Sequence, residues 1–187
     1  MVISVTVIPP TTPVISNICF PAGTPVKTDQ GLVNIEHLDT TVHTVGSKPI
    51  RHITQTVTLD KYLVSFAKHA LGRNMPDRRT IMSKDHKIVF EGRLVPADRF
   101  LDYSDQVQKV TYRGETLYNV LLDDYGKMSV NGLECETLHP ANIIAQLYTT
   151  HYTGDERTAL VHQWNTALTQ RDSVTYQAVI NRLTHKT

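Results

Sequence analysis

Cysteine is nearly missing from this sequence, with two residues in 187. Two are too few for a disulfide framework, and their scarcity points to a reducing compartment. Charge of either sign is not in excess. Nineteen Lys and Arg against eighteen Asp and Glu leave a formal +1, so nothing draws the chain to nucleic acid or to an anionic membrane. No stretch approaches the roughly 20 apolar residues of a membrane span. The opening MVISVTVIPPTTPVIS has no basic residue and is interrupted by prolines, which makes it a poor signal peptide. The expectation is a cytoplasmic protein, not one secreted by its own signal. The nine histidines show no paired ligand spacing with Cys or acid, so no metal is expected. No cofactor is expected either.

What the chain does have is β patterning. Val2 to Ile8 reads as a strand, followed by an extended proline-rich link. From about Val14 to Thr137, short runs rich in Val, Ile, Thr, Tyr and Leu are separated by turn residues. Asp-Gln-Gly, Glu-Gly, Arg-Gly and Asn-Gly place glycine where hairpin turns need positive φ. Asn131-Gly132 is the strongest of these signals. Lys68 to Arg79 (KHALGRNMPDRR) is basic, broken by Gly and Pro, and reads as a surface loop whose Arg78-Arg79 face is solvated.

The character changes after Pro140. ANIIAQLYTTHY suits a helix, and Asp155 precedes a second in which Leu160, Val161, Trp164 and Leu168 share one face. Asp172 is placed to cap a third, with Val174, Ala178, Val179 and Leu183 inward. These helices should pack on the β region, because alone they would expose a large apolar stripe.

The chemistry centres on Cys19, in SNICFPAGTPVKTDQG. A free cysteine is by default a small core hydrophobe. A thiol so placed can also attack the carbonyl of its own preceding peptide and form a thioester. That step needs donors for the oxyanion and an acid for the leaving nitrogen, for which histidine is suited at neutral pH. Ser83-Lys84-Asp85-His86 supplies a histidine with a hydroxyl three residues upstream.

With these residues in view, CFPAGTPVKTDQGLVNIEHL resembles the opening block of the Hint (hedgehog/intein) superfamily. SKDHKIV resembles that family's [ST]-x-x-H block, and LYNVLLDDYGKMSVNGLECET its last two strands. The order and spacing of the blocks over Cys19 to Thr137 make the resemblance more specific than any one motif. The ending NGLECETLHP also resembles Hint proteins of large DNA viruses of algae and protists, which adds a virion-associated viral protein to the expected settings.

The resemblance implies a mainly β, horseshoe-like Hint fold over residues 19–139. An upstream segment, 1–18, precedes it, and a helical C-terminal extension, 140–187, follows. It further implies an N–S acyl shift at Ile18–Cys19, with Cys19 as nucleophile, Ser83 orienting the scissile peptide and His86 donating the proton. Inteins end in His-Asn, but Glu136 and Thr137 stand at those positions, so splicing is not expected. Asn119 stands where inteins often carry Asp. His139, three positions beyond the missing histidine, is either its substitute or the exit into the helices. Residue 18 is Ile, whose β-branch should slow attack on its carbonyl.

Two functions therefore stand. One is a self-processing module whose substrate is its own N-terminal segment, passed to water, a thiol or an unknown acceptor, with the helices as the surface for any protein partner. The alternative is a cleavage-inactive Hint-fold structural or binding protein. If the closing strand ran beside the opening one, Cys135 would approach Cys19 and a disulfide would gate the chemistry. Plain core packing is the favoured reading of Cys135.

Overall fold

Asn131 and Gly132 take φ of 50° and 80°, and Glu91-Gly92 take 49° and 76°. Both are mirror-image turns that match strand twist, and both close antiparallel hairpins as expected. The computed structural model describes residues 18–149, 152 and 154–184; the strand expected at Val2 to Ile8 lies outside them. The early strands among the described residues are β1 (Phe20–Pro21), β2 (Pro25–Thr28), β3 (Gly31–Asn34), β4 (Thr44–Val45) and β5 (Lys48–Thr56). Next come β6 (Tyr62–Phe66), β7 (Thr80–Met82), β8 (Lys87–Phe90) and β9 (Arg93–Pro96). The last are β10 (Val107–Thr111), β11 (Leu117–Leu122), β12 (Lys127–Val130) and β13 (Leu133–Glu136). Three helices follow: α1 (Ile143–Thr149), α2 (Gly154–Gln170) and α3 (Ser173–Thr184).

The strands form three antiparallel sheets, ordered β1-β11-β5-β4, β10-β6-β7 and β3-β2-β12-β13-β8-β9. The Arg113-Gly114 signal did not make a hairpin. β10 pairs with β6, while β11 pairs with β1 and β5, so residues 112–116 cross between sheets. Tyr112 holds that crossing by donating to the Glu115 carbonyl at 2.6 Å. Gly46-Ser47, with φ of 56° and 63°, closes a turn between β4 and β5 that sequence reading passed over. Lys68 to Arg79 is a loop, as expected, but it is anchored: Ala70 and Leu71 are buried. Its Asn74 carbonyl sits hard against Gly132, and Asp77 N–H donates to the Asn131 carbonyl at 2.8 Å.

The helices appear where the periodicity placed them. Asp172 caps α3, accepting from the N–H groups of Val174 and Thr175 at 3.0 and 3.1 Å. The inward face of α3 differs from expectation, because Val174 is 78% exposed and Ala178 is also exposed. Val179 and Leu183 face inward as expected, joined by Tyr176 and Ile180 in place of those two, an i, i+3, i+4, i+7 stripe that starts where Tyr176 stacks on Trp164 with centroids 4.7 Å apart. The helices do pack on the β region. Leu160, Trp164 and Leu168 of α2 share a buried cluster with Leu121 and Leu138, with Val161 and Val57 packed at its edge.

Candidate active site

Three consecutive side chains around the expected scissile bond enter three different apolar clusters. Ile18 joins the cluster built with the helices. Cys19 joins Leu63, Tyr112 and Leu117, and Phe20 enters the main core. Such alternation is what an extended segment does when it is buried on both sides. Phe20 pairs with Tyr118 and Pro21 with Leu117, so this segment lies antiparallel to β11, which is itself central in its sheet.

The backbone at Cys19 is held by a reciprocal pair. Its N–H donates to Ser83 Oγ at 2.8 Å, and its carbonyl accepts from Ser83 N–H at 2.9 Å. Ser83 follows directly on β7, and a tight turn returns His86 N–H to the Ser83 carbonyl at 3.1 Å. The turn is pinned by a half-buried Lys84–Asp60 ion pair at 2.6 Å and by Asp98 N–H donating to the Lys84 carbonyl at 2.9 Å.

His86 is fully buried, its ring against Phe20 with centroids 4.3 Å apart. Nε2 lies 2.9 Å from the Glu136 carbonyl. A carbonyl only accepts, so Nε2 carries the hydrogen and neutral His86 keeps a bare Nδ1. Nδ1 is buried with no hydrogen-bond partner. An orphaned buried polar atom is costly. Burial pushes the His86 pKa below the ordinary histidine range, against weaker opposing contributions from Glu136 and the Cys19 backbone. At neutral pH the ring is a base.

The thiol of Cys19 is also buried, and desolvation pushes its pKa well above the ordinary thiol value. Tyr112, in the same cluster, is pushed up to about 12, again mainly by burial. Neither ionises by itself at pH 7.

Sequence reading missed Asn119. It appeared only as a departure from the intein pattern, yet its Nδ2 donates to the Ile18 carbonyl in a short hydrogen bond. Its Oδ1 accepts from Val120 N–H at 2.8 Å, which fixes which end of the amide points at Ile18. A polar residue inside the run LYNVLL was the available signal, since a buried amide needs partners.

The two positions that replace the intein ending are engaged structurally. The Glu136 carboxylate accepts from Tyr125 Oη at 2.6 Å and Lys87 N–H at 3.0 Å, and so fixes the residue whose carbonyl holds His86. Thr137 Oγ1 accepts from Gly126 N–H at 3.0 Å. His139 is exposed, with Nδ1 accepting from Ala141 N–H at 3.0 Å, and belongs to the exit into α1. Cys135 makes no disulfide with Cys19. It pairs with Met128 and Ile88 inside the six-stranded sheet, in a different buried cluster from Cys19, and both thiols are free.

A mostly β fold of three antiparallel sheets with helices at its C-terminal end, carrying the cysteine at the mouth of its first strand, defines a Hint-like class. The family model described as the Hint domain matches residues 18–142, and the chain belongs to that family. Among solved structures it is similar to a bacterial intein-like domain from Clostridium thermocellum, with 18% identity and a TM-score of 0.49, over 65% of this chain and 99% of that one. No curated protein sequence matches the chain.

Proposed function

We propose that this Hint domain processes its own chain once, at the Ile18–Cys19 bond, and does not splice. The observation that supports this most strongly is the grip on that one peptide. Asn119 holds the Ile18 carbonyl and Ser83 holds the Cys19 N–H, and His86, three residues on from Ser83, keeps a buried Nδ1 without a hydrogen-bond partner.

In the reaction, the Cys19 thiol gives its proton to His86 Nδ1 as Sγ adds to the Ile18 carbonyl carbon. The negative charge that develops on the oxygen falls on Asn119 Nδ2. Collapse breaks the carbon–nitrogen bond, and Nδ1 returns the proton to the departing nitrogen. The result is an Ile18 thioester on Sγ and a free amine on Cys19. Water then adds its hydroxyl to the acyl carbon and its proton to sulfur, giving an Ile18 carboxylate and the restored thiol. A thiol, an amine or another acceptor can take the acyl group in place of water. Glu136 and Thr137 offer no counterpart to a cyclising asparagine, so the C-terminal side is left uncut.

The second reading keeps the fold without turnover. Its support is the burial of the Cys19 thiol, which raises its pKa, and the β-branched residue carrying the target carbonyl. Intact mass after incubation with hydroxylamine separates the two. Loss of residues 1–18 supports processing, and full-length protein supports the structural role.

A further inference from the structure

The helices begin where the family match ends, at residue 142, yet the cluster they build reaches back to the reaction centre. Ile143, Ile144 and Leu147 of α1 and Val179 and Leu183 of α3 are in one buried group with Leu121, Leu138 and Ile18. Ile18 is only 3% exposed. Its neighbours Cys19 and Phe20 turn to other clusters, so residue 18 is the point at which the helical layer joins the scissile peptide. The Ile18 carbonyl is at the same time the one that Asn119 holds.

We propose that the C-terminal helices are a recognition element for residue 18. They hold an apolar side chain there, and by holding it they set the Ile18 carbonyl on Asn119. The proposal rests on the processing reading above. It assigns the helices the choice of acyl group. An apolar pocket separates side chains that differ by a methylene by about 10–200-fold, and a charged side chain there is left buried without a partner.

The test exploits two effects that run in opposite directions. By intrinsic reactivity alone, removing the β-branch in Ile18→Ala speeds attack, since the carbonyl becomes less hindered. If the pocket positions the carbonyl, Ile18→Ala slows it. The measurement is the rate of hydroxylamine-induced cleavage of the full chain, followed by intact mass, for Ile18→Val, Ile18→Ala, Ile18→Phe and Ile18→Asp. The expected order is wild type fastest, then Ile18→Val slower by about ten-fold or more, Ile18→Ala slower still, and Ile18→Asp slowest.

A second measurement distinguishes recognition from general loss of stability. In Ile143→Ala and Leu183→Ala chains, the rate ratio between Ile18 and Ile18→Phe should shift toward Phe, because space has been opened. A uniform structural defect leaves that ratio unchanged. Ile18→Ala cleaving as fast as wild type, or a ratio moved by neither helix substitution, overturns the proposal. A wild-type chain that never cleaves refutes the processing reading instead. The helix contact is then judged by amide exchange over residues 143–149. Faster exchange in Ile18→Ala than in Ile18→Val upholds the contact, and equal exchange removes it.

Discussion

Replacing Asn119 isolates the oxyanion step. Its Nδ2 is the side-chain donor on the Ile18 carbonyl, while its Oδ1 serves a structural bond to Val120 N–H. Loss of one such donor from a buried site costs about 2.7–4 kcal/mol of transition-state stabilisation, or roughly 10²–10³ in rate. Asn119→Ala removes both bonds. It should also lower stability by about 1–3 kcal/mol for each buried group left unpaired, so its folded fraction must be established by urea titration first. Asn119→Asp is the matched control. It keeps the volume and an acceptor for Val120 N–H, but, assayed at a pH where the buried carboxyl is ionised, it offers no hydrogen and sets negative charge beside the developing oxyanion. Hydroxylamine cleavage at 25 °C, read by mass, should be slowed at least 10²-fold in both, on the same scale. A folded Asn119→Asp chain cleaving at the wild-type rate refutes the assignment of Asn119 to the oxyanion.

His86→Ala should slow the acyl shift by about two or more powers of ten, and a wild-type rate would show that another group carries the proton. His86 is held below the histidine range by burial, so the unfolded chain binds the extra proton first as pH falls. Stability is therefore fully present above about pH 6.5 and declines below it with a slope of up to about 1.4 kcal/mol per pH unit until the folded ring also titrates; a urea midpoint flat from pH 7.5 to 5 would contradict this. Gly132 combines a φ of 80° with close approach of the Asn74 carbonyl. Gly132→Ala should therefore cost about 1–3 kcal/mol, seen as a lower urea midpoint. Ending the chain after Thr137 should lower solubility, because it uncovers Ile18 and Leu121; a soluble, equally stable truncation would mean the helices contribute nothing to the β region.

The legible part of the site was the part written locally. Cys19 stands in a turn-rich opening block, and Ser83 and His86 lie three residues apart in one tight turn. The resemblance of these short local blocks to the Hint family therefore brought each into view. Asn119 was not legible in the same way. Its meaning comes from β1 lying along β11, a pairing between residues about a hundred apart in the chain. The hairpins at Glu91-Gly92 and Asn131-Gly132 followed from their turn residues. Arg113-Gly114 carries the same kind of signal but changes sheets, because tertiary pairing decided which strands β10 and β11 would join. On α3, the count from Val174 and the count from Tyr176 are both helical. Packing against α2 and α1, including Tyr176 on Trp164, goes with the second.

The account stands or falls on whether the Ile18–Cys19 bond passes through a thioester. The most direct measurement is intact mass of the purified full chain and of Cys19→Ala, each incubated with and without hydroxylamine at neutral pH. The account predicts a time-dependent product beginning at Cys19, formed faster with hydroxylamine, with residues 1–18 recovered as the hydroxamate, and no such product from Cys19→Ala. Cleavage at this bond that persists in Cys19→Ala, or a wild-type chain that stays whole under hydroxylamine, contradicts it.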